Sequence, residues 1–358
     1  MLKIQNFIYT HENWEKLLAA EPYNLKIKWK DNLVMFNYDQ IKSEHNEIVD
    51  EARGLILNAA DNRFTIVRMG FKRFYNYGEA AAAQIDWSTA SVSLKMDGTM
   101  ILFYFYNGEW HISTRSTFDA CEASVYNTSL TFEQLARQAM ENSNVKFSEL
   151  NTACTYVFEL CAPQNRVVVR YEKPELYYLM TRNNKTGIEI IRPHEYWHVP
   201  SRFNLYSLEA AKKFVSQFDG DEFEGVVVRD ENYNRIKVKN LNWLELHKVA
   251  NNHNFTAVDA LSVYRCGDAD EHVTYFPERE ELIKKVAHCY EEYLARAELL
   301  DSIDFKGDNP DKKEFAMFVN KRFSGAFAAL WFRAWDNKAE NWIREMKSED
   351  FIKRFYEG

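Results

Sequence analysis

Residues 91–114 read SVSLKMDGTMILFYFYNGEWHIST, and this stretch decides the fold. Ser91–Lys95 has the pattern of a strand, and Met96-Asp97-Gly98 then turns the chain. Thr99–Tyr106 is rich in β-branched and aromatic side chains. Asn107-Gly108 is the residue pair of a type I′ hairpin turn, and Trp110–Thr114 returns as the next strand. A lysine therefore sits at a strand-to-turn junction, beside a glycine that lets a ligand approach the backbone.

The same texture continues outward. Thr155–Cys161, Leu176–Thr181, Gly187–Ile191, Gly225–Arg229 and Arg235–Lys239 read as strands, and Ser129–Glu141 and Ser207–Phe218 as helices. In the second helix Leu208, Ala211, Phe214 and Val215 share one face. Beyond about residue 245 the strand signals stop. Glu280–Leu300, Asp311–Trp335 and Lys338–Phe355 carry apolar residues at helical spacing, and Asp301–Pro310, with Gly307 and Pro310, is the break between the first two. This predicts an α+β domain over 1–245, of antiparallel sheets with flanking helices, followed by an all-α C-terminal domain over 246–358.

Composition narrows the function classes. The chain has 358 residues, 46% of them hydrophobic and 27% charged, with 12 Gly and 7 Pro, which excludes a disordered or collagen-like chain. No apolar run approaches the roughly 18 residues of a membrane span, and the N-terminus lacks the apolar core of a signal peptide. A soluble cytoplasmic protein without a membrane partner is expected. Five cysteines, an odd number without a C-x-x-C pair, read as free thiols in a reducing compartment. Net charge is −8, and the deficit is even: 28 Lys+Arg against 32 Asp+Glu over 1–245, and 17 against 21 over 246–358. Any nucleic-acid site must then be a local positive groove. There is neither a P-loop nor a G-x-G-x-x-G motif.

Lys95-x-Asp97-Gly98 alone is a weak signal, because a solvated lysine in a surface hairpin turn explains it better. The ordered set around it is stronger. Upstream lie Arg53-Gly54 and Lys72-Arg73-Phe74-Tyr75-Asn76. Downstream lie Phe158-Glu159, the Tyr177–Arg182 strand, Glu224-Gly225 and Lys237-x-Lys239. Lys237 and Lys239, two apart on a strand, share a face and repel unless that face meets solvent or an anion such as a triphosphate.

In order and spacing this set resembles the covalent nucleotidyltransferases, the superfamily of ATP-dependent ligases and capping enzymes. Within it the resemblance is to the T4 RNA ligase 1 family, carried by Phe36-Asn37-Tyr38, Ala52-Arg53-Gly54, Phe74-Tyr75-Asn76, Phe158-Glu159 with Ala162-Pro163 and Asn165-Arg166, and Lys237-x-Lys239 with His247 following. It spans roughly residues 35–250 and implies a nucleotidyltransferase (ATP-grasp-like ligase) domain ahead of the helical one. It also implies an ATP-dependent RNA ligase that uses Mg²⁺ or Mn²⁺ and joins 5′-phosphate and 3′-hydroxyl ends through lysyl-AMP and adenylated RNA. Its substrate would be single-stranded RNA or a broken tRNA, its state a monomer, its place the cytoplasm (the host's, if viral), and its step one that follows an end-healing kinase/phosphatase.

The resemblance makes Lys95 the nucleophile and Glu159, Glu224, Lys237 and Lys239 its catalytic partners. It assigns the nucleotide to Tyr38, Arg53, Gly54, Lys72, Arg73, Lys95, Gly98, Arg115, Glu159, Tyr177, Lys237 and Lys239, and the metal to Glu159 and Glu224. Arg73 and Arg115 stand where such ligases commonly carry lysine, Lys72 is the alternative to Arg73, and Trp243 stands where a tyrosine is expected. Tyr177 is equally readable as an aromatic wall for adenine or as core. Two other readings compete: an inactive RNA-binding module of the same fold, and a capping-type or DNA-ligase nucleotidyltransferase. His194-Glu195-x-x-His198 matches the zinc-hydrolase pattern, but Pro193 and Pro200 leave too little helix, so a short aromatic-rich helix is expected there.

Overall fold

The computed structural model describes residues 1–357 except 61–62, 126–127, 167–168, 221, 241–254, 268 and 306–310. The chain divides into two compact units, Met1–Ala250 and Asn251–Gly358. The expected boundary at 245/246 lies outside the described residues, as do Trp243, His247, Gly307 and Pro310.

The first unit opens with helices α1 (Lys3–Thr10) and α2 (Trp14–Ala19) and strands β1 (Leu25–Lys30) and β2 (Leu33–Tyr38). Helix α3 (Glu47–Glu51) then leads to β3 (Arg53–Asn58) and β4 (Thr65–Arg68). The four strands form one sheet in the order β1-β2-β3-β4. Ile4, Ile8 and Leu18 of the helices pack on Val34, Phe36, Leu55 and Leu57, while Leu33, Met35, Ile56 and Val67 pack with Tyr104 and Phe118. The sequence has a β-rich texture only from about residue 50, so half of this sheet is an addition to the expected fold.

Two five-stranded sheets follow. Their strands are β5 (Tyr75–Asn76), β6 (Ser91–Leu94), β7 (Thr99–Tyr106), β8 (Glu109–Thr114), β9 (Cys154–Cys161), β10 (Glu175–Asn183), β11 (Glu189–Ile190), β12 (Arg202–Phe203), β13 (Gly225–Arg229) and β14 (Arg235–Lys239). One sheet runs β11-β10-β9-β7-β8 and the other β12-β6-β13-β14-β5. All pairings are antiparallel as expected, except that β14 and β5 run parallel. Asn107 and Gly108 have φ of 49° and 88°, as a type I′ turn requires.

Strand β7 is apolar on both faces because both are covered. Ile101 and Phe103 join Phe158, Leu160, Tyr178 and helix α4 (Phe132–Asn142), whereas Leu102 joins Val157 and Met180. Thr131 caps α4 by accepting from the Gln134 amide, and Gln134 returns the bond. Helix α5 (Leu208–Val215) lays Ala211 and Val215 on Val226, Val228, Ile236 and Val238 of the other sheet.

His194–His198 is a turn followed by a bridge to Tyr177, not the short helix expected. Trp197 is drawn into the core of the β7–β10 sheet, and an extended backbone there reaches it better than a helix flanked by prolines. Cys154 and Cys161 are buried free thiols, as expected, and Cys121 and Cys289 are also free.

The second unit is helical among its described residues, with α6 (Ala257–Cys266), α7 (Ala269–Tyr275), α8 (Glu280–Asp301), α9 (Lys312–Arg322), α10 (Gly325–Ala334), α11 (Ala339–Glu345) and α12 (Ser348–Phe351). Two expected helices are divided. Asp311–Trp335 breaks at Phe323–Gly325, where Gly325 takes a φ of 58°. Lys338–Phe355 breaks at Met346, which is extended. The aromatic side chains of this unit pack on one another, with Phe323 stacked on Trp331 and Phe315 against Trp335, although Phe318 stays 39% exposed. No helix among the described residues is long and apolar enough to cross a membrane.

Candidate active site

Sheet order explains why distant motifs share one place. β6, β13 and β14 are neighbours, with Leu94 opposite Val226 and Gly225 opposite Lys239. The Lys95 amide donates to the Gly225 carbonyl at 2.9 Å, and the Asn240 amide to the Glu224 carbonyl at 2.8 Å. Lys95, Glu224 and Lys239 thus sit at adjoining strand ends. Their side chains meet: Glu224 Oε1 accepts from Lys95 Nζ at 2.5 Å and pairs with Lys239 Nζ at 3.3 Å. Lys239 and Glu224 are both buried, and the Lys95 side chain remains 23% exposed. An internal carboxylate therefore supplies part of the anion that the lysine pair requires. Lys237, on the same strand face, lies 5.4 Å from the centre of the Phe74 ring.

The turn after Lys95 is held against β9. A Cβ at Gly98 would lie 2.3 Å from the Leu160 carbonyl oxygen, so only glycine permits this approach. Asp97 is buried and accepts from the Val169 amide at 2.6 Å, while its own amide donates to the Tyr171 hydroxyl. Neither of these two contacts had a sequence signal beyond the K-x-D-G motif itself.

Glu159 lies on β9, directly between Met100 of β7 and Tyr177 of β10 in the cross-strand register. Part of its surface stays open, yet its carboxyl is surrounded by protein. Burial pushes it up to about 8, Glu224 and Asp97 push the same way, and Lys95 and Arg53 oppose them. Those four influences place Glu159 within electrostatic reach of the lysine cluster. Tyr177 is half-buried, donates to Glu175 at 3.0 Å and has the His198 ring 5.7 Å away.

The arginines converge on aromatic faces. Arg73 lies 4.3 Å from the Tyr38 ring centre and 5.1 Å from that of Tyr75, and Arg115 lies 5.4 Å from the Tyr38 ring and donates to its hydroxyl at 3.3 Å. Arg53 shares Phe74 with Lys237, at 5.5 Å. The Tyr75 hydroxyl donates to Asp50, which the sequence reading had not singled out. Lys72 turns elsewhere: its ammonium pairs with Glu51 of α3 at 3.1 Å and is half exposed. Of the two neighbours, Arg73 is the one in the cluster. Gly54 has a φ of 75° and backs onto the Arg115 carbonyl, where a Cβ would come within 2.5 Å.

Among the described residues no set of three or more His, Cys, Asp or Glu side chains is arranged to hold a metal ion, which also leaves His194 and His198 without a zinc site. Glu224 Oε2 is buried without a hydrogen-bond partner among the described residues. Such an oxygen is a hard donor of the kind Mg²⁺ and Mn²⁺ accept, ions that commonly take one or two carboxylates plus substrate phosphates.

Comparison with known proteins gives the family of the chain. The model of an RNA ligase family, of the T4 RNA ligase 1 type, matches residues 51–256. A putative bifunctional polynucleotide kinase/RNA ligase of Autographa californica nuclear polyhedrosis virus is 31% identical over 289 residues, covering 74% of this chain and 41% of that protein. An RNA ligase of Rhodothermus phage RM378 is 25% identical over 329 residues, covering 74% of each. Among solved structures, an archaeal ATP-dependent RNA ligase superposes with a TM-score of 0.45 at 14% identity, over 80% of this chain and 78% of that one. The chain thus spans less than half the length of the viral relative and about three quarters of the phage one.

Proposed function

Because the chain belongs to the T4 RNA ligase 1 family, we propose that it is an ATP-dependent RNA ligase working through a covalent Lys95–AMP adduct. The observation that carries this reading is the Glu224 oxygen shared by Lys95 and Lys239, with Glu159 and the arginine–aromatic cluster beside it.

In the first step the neutral Lys95 amine attacks the α-phosphorus of ATP. The N–P bond forms as the bond to the β-phosphate oxygen breaks, and pyrophosphate leaves with the electron pair. Glu224 Oε1, 2.5 Å from Nζ, is placed to take up the amine's proton. Arg53, Arg73, Arg115, Lys237 and Lys239 would meet the triphosphate charge, with Arg73 rather than Lys72 as the contact. Glu159 would hold the ribose hydroxyl, and Tyr177, across from it on β10, would border the adenine. A divalent cation held by Glu224 and Glu159 would neutralise phosphate oxygens when bound.

In the second step an oxygen of the RNA 5′-phosphate attacks the same phosphorus, and Lys95 leaves and regains its proton. In the third step a 3′-hydroxyl oxygen attacks the activated 5′-phosphate as its P–O bond to AMP breaks; AMP leaves with the electron pair, and the hydroxyl proton passes to solvent. The viral relative's name pairs a polynucleotide kinase with an RNA ligase, which supports a role in joining RNA ends after end healing; a broken tRNA loop is the substrate this reading takes.

The test is circularisation of a 5′-phosphorylated single-stranded RNA with ATP and Mg²⁺ or Mn²⁺. Joining that disappears in Lys95→Ala supports the proposal. Retained RNA binding without joining, by a parent that never accepts AMP, would favour the binding-module reading, and an adduct with GTP a capping-type enzyme.

A further inference from the structure

Arg68 closes β4 with a side chain that is completely buried, and among the described residues it forms no ion pair. Its guanidinium is satisfied by backbone carbonyls, with one further contact from Nη2 to the Met35 sulfur at 3.3 Å. Nε and Nη2 donate to the Gly54 carbonyl at 3.0 and 2.8 Å. Nη1 donates to the carbonyls of Thr114 at 3.0 Å and Thr117 at 2.7 Å, and Nη2 also reaches the Arg115 carbonyl at 3.2 Å. Burial pushes the group down to about 10, so it remains charged at neutral pH. A buried cation that touches no carboxylate is costly; Glu122 and Asp119 act on it only from a distance, and its carbonyl partners offset the cost only while all of them stay aimed at the fork.

Those carbonyls belong to two segments from different sheets. Gly54 follows Arg53 at the start of β3, and Thr114–Thr117 carries Arg115 beyond β8. The segments also touch directly, since the Arg115 carbonyl occupies the space a Gly54 Cβ would need. Arg53 and Arg115, each at or next to a clamped carbonyl, send their side chains to Phe74 and Tyr38 respectively. The planar guanidinium can span both segments at once, which a lysine ammonium cannot.

We propose that Arg68 is a positioning residue for nucleotide binding: it fixes the spacing between Arg53 and Arg115, and so the geometry with which they meet the phosphates of ATP. This rests on the adenylyl-transfer reading of the site. Arg68 itself touches no substrate.

The test uses Arg68→Lys in the full chain, with folding checked by circular dichroism. Initial rates of AMP-adduct formation are read against ATP concentration. The KM for ATP should rise about tenfold while kcat changes by less than about threefold, a split that general loss of fold would not give. In an Arg115→Ala background the same change should add only a small further loss, because the two act as a unit. An unchanged KM in folded Arg68→Lys, or losses that multiply independently, would overturn the proposal. Should Arg68→Lys fail to fold, Arg68→Met takes its place, and failure of both to fold assigns Arg68 a purely structural role. A parent without an adduct would sink the adenylyl-transfer reading alone. Calorimetric binding of a non-hydrolysable ATP analogue then decides on Arg68, and absence of binding in the parent overturns both.

Discussion

Lys95 Nζ and Glu224 Oε1 stand 2.5 Å apart although 129 positions separate them in the chain. The contact follows from the pairing of β6 with β13, which brings the end of one strand to the start of the other. Lys239 shares the same oxygen. Glu224→Gln keeps the shape but removes the charge that accepts from Lys95 and pairs with Lys239. We predict a loss of about 100-fold or more in adduct formation. Breaking the buried pair with Lys239 should also cost about 3 kcal/mol, read from urea unfolding.

Glu159 gives a prediction in pH. Its carboxyl in the folded protein is pushed up to about 8, chiefly by burial, above its ordinary value. A raised carboxyl favours the fold while protonated. That stability is fully present below about pH 4.5 and is lost as pH rises through about 8. Glu159→Gln should therefore melt several degrees above the parent at pH 8.5 and close to it at pH 4. Adduct formation should fall sharply in the same variant.

Gly98→Ala places a methyl group 2.3 Å from the Leu160 carbonyl oxygen and 3.1 Å from Cys161 Sγ. Backbone must shift, and what shifts is the turn that carries Lys95 past β9. The expected result is a melting temperature lowered by several degrees and loss of the AMP adduct, measured on the same preparation.

A second pH prediction concerns Asp119, which follows β8. His111 donates to Asp119 at 2.7 Å and Lys30 does so at 2.7 Å, holding Asp119 down to about 2. The His111 imidazole is in turn raised by that hydrogen bond. The Asp119 contribution is present above about pH 3.8 and lost as pH falls toward 2. The His111 contribution is present below its ordinary value of 6.5 and lost as pH rises through its higher folded value. Asp119→Asn should thus destabilise most near pH 5, by about 1 kcal/mol, and little at pH 2.

How far the sequence could be read depended on where the information lies. The bounds of β7, β13 and β14 follow from local alternation and flanking turns, and the structure agrees with them residue for residue. Leu25–Tyr38 was not legible as two strands: β1 spaces lysines among apolar residues as an edge strand does, and Leu33–Phe36 is an apolar run covered on both faces. The break at Phe323–Gly325 was hidden because aromatic spacing continues across it. At the site, the residue types of each motif were legible because strand ends and turns carry them. Their pairings were not. Glu224 with Lys95, Arg73 on Tyr38 and the Arg68 fork all depend on the order of strands within sheets and the seating of one sheet on another, which no local pattern encodes.

The most direct measurement is intact-protein mass after incubation with ATP and Mg²⁺, followed by mapping of the modified peptide. The account predicts a gain of one AMP, located on Lys95, absent in Lys95→Ala and discharged by 5′-phosphorylated RNA. An AMP group on another residue, or no adduct with any nucleotide or divalent metal, would contradict it.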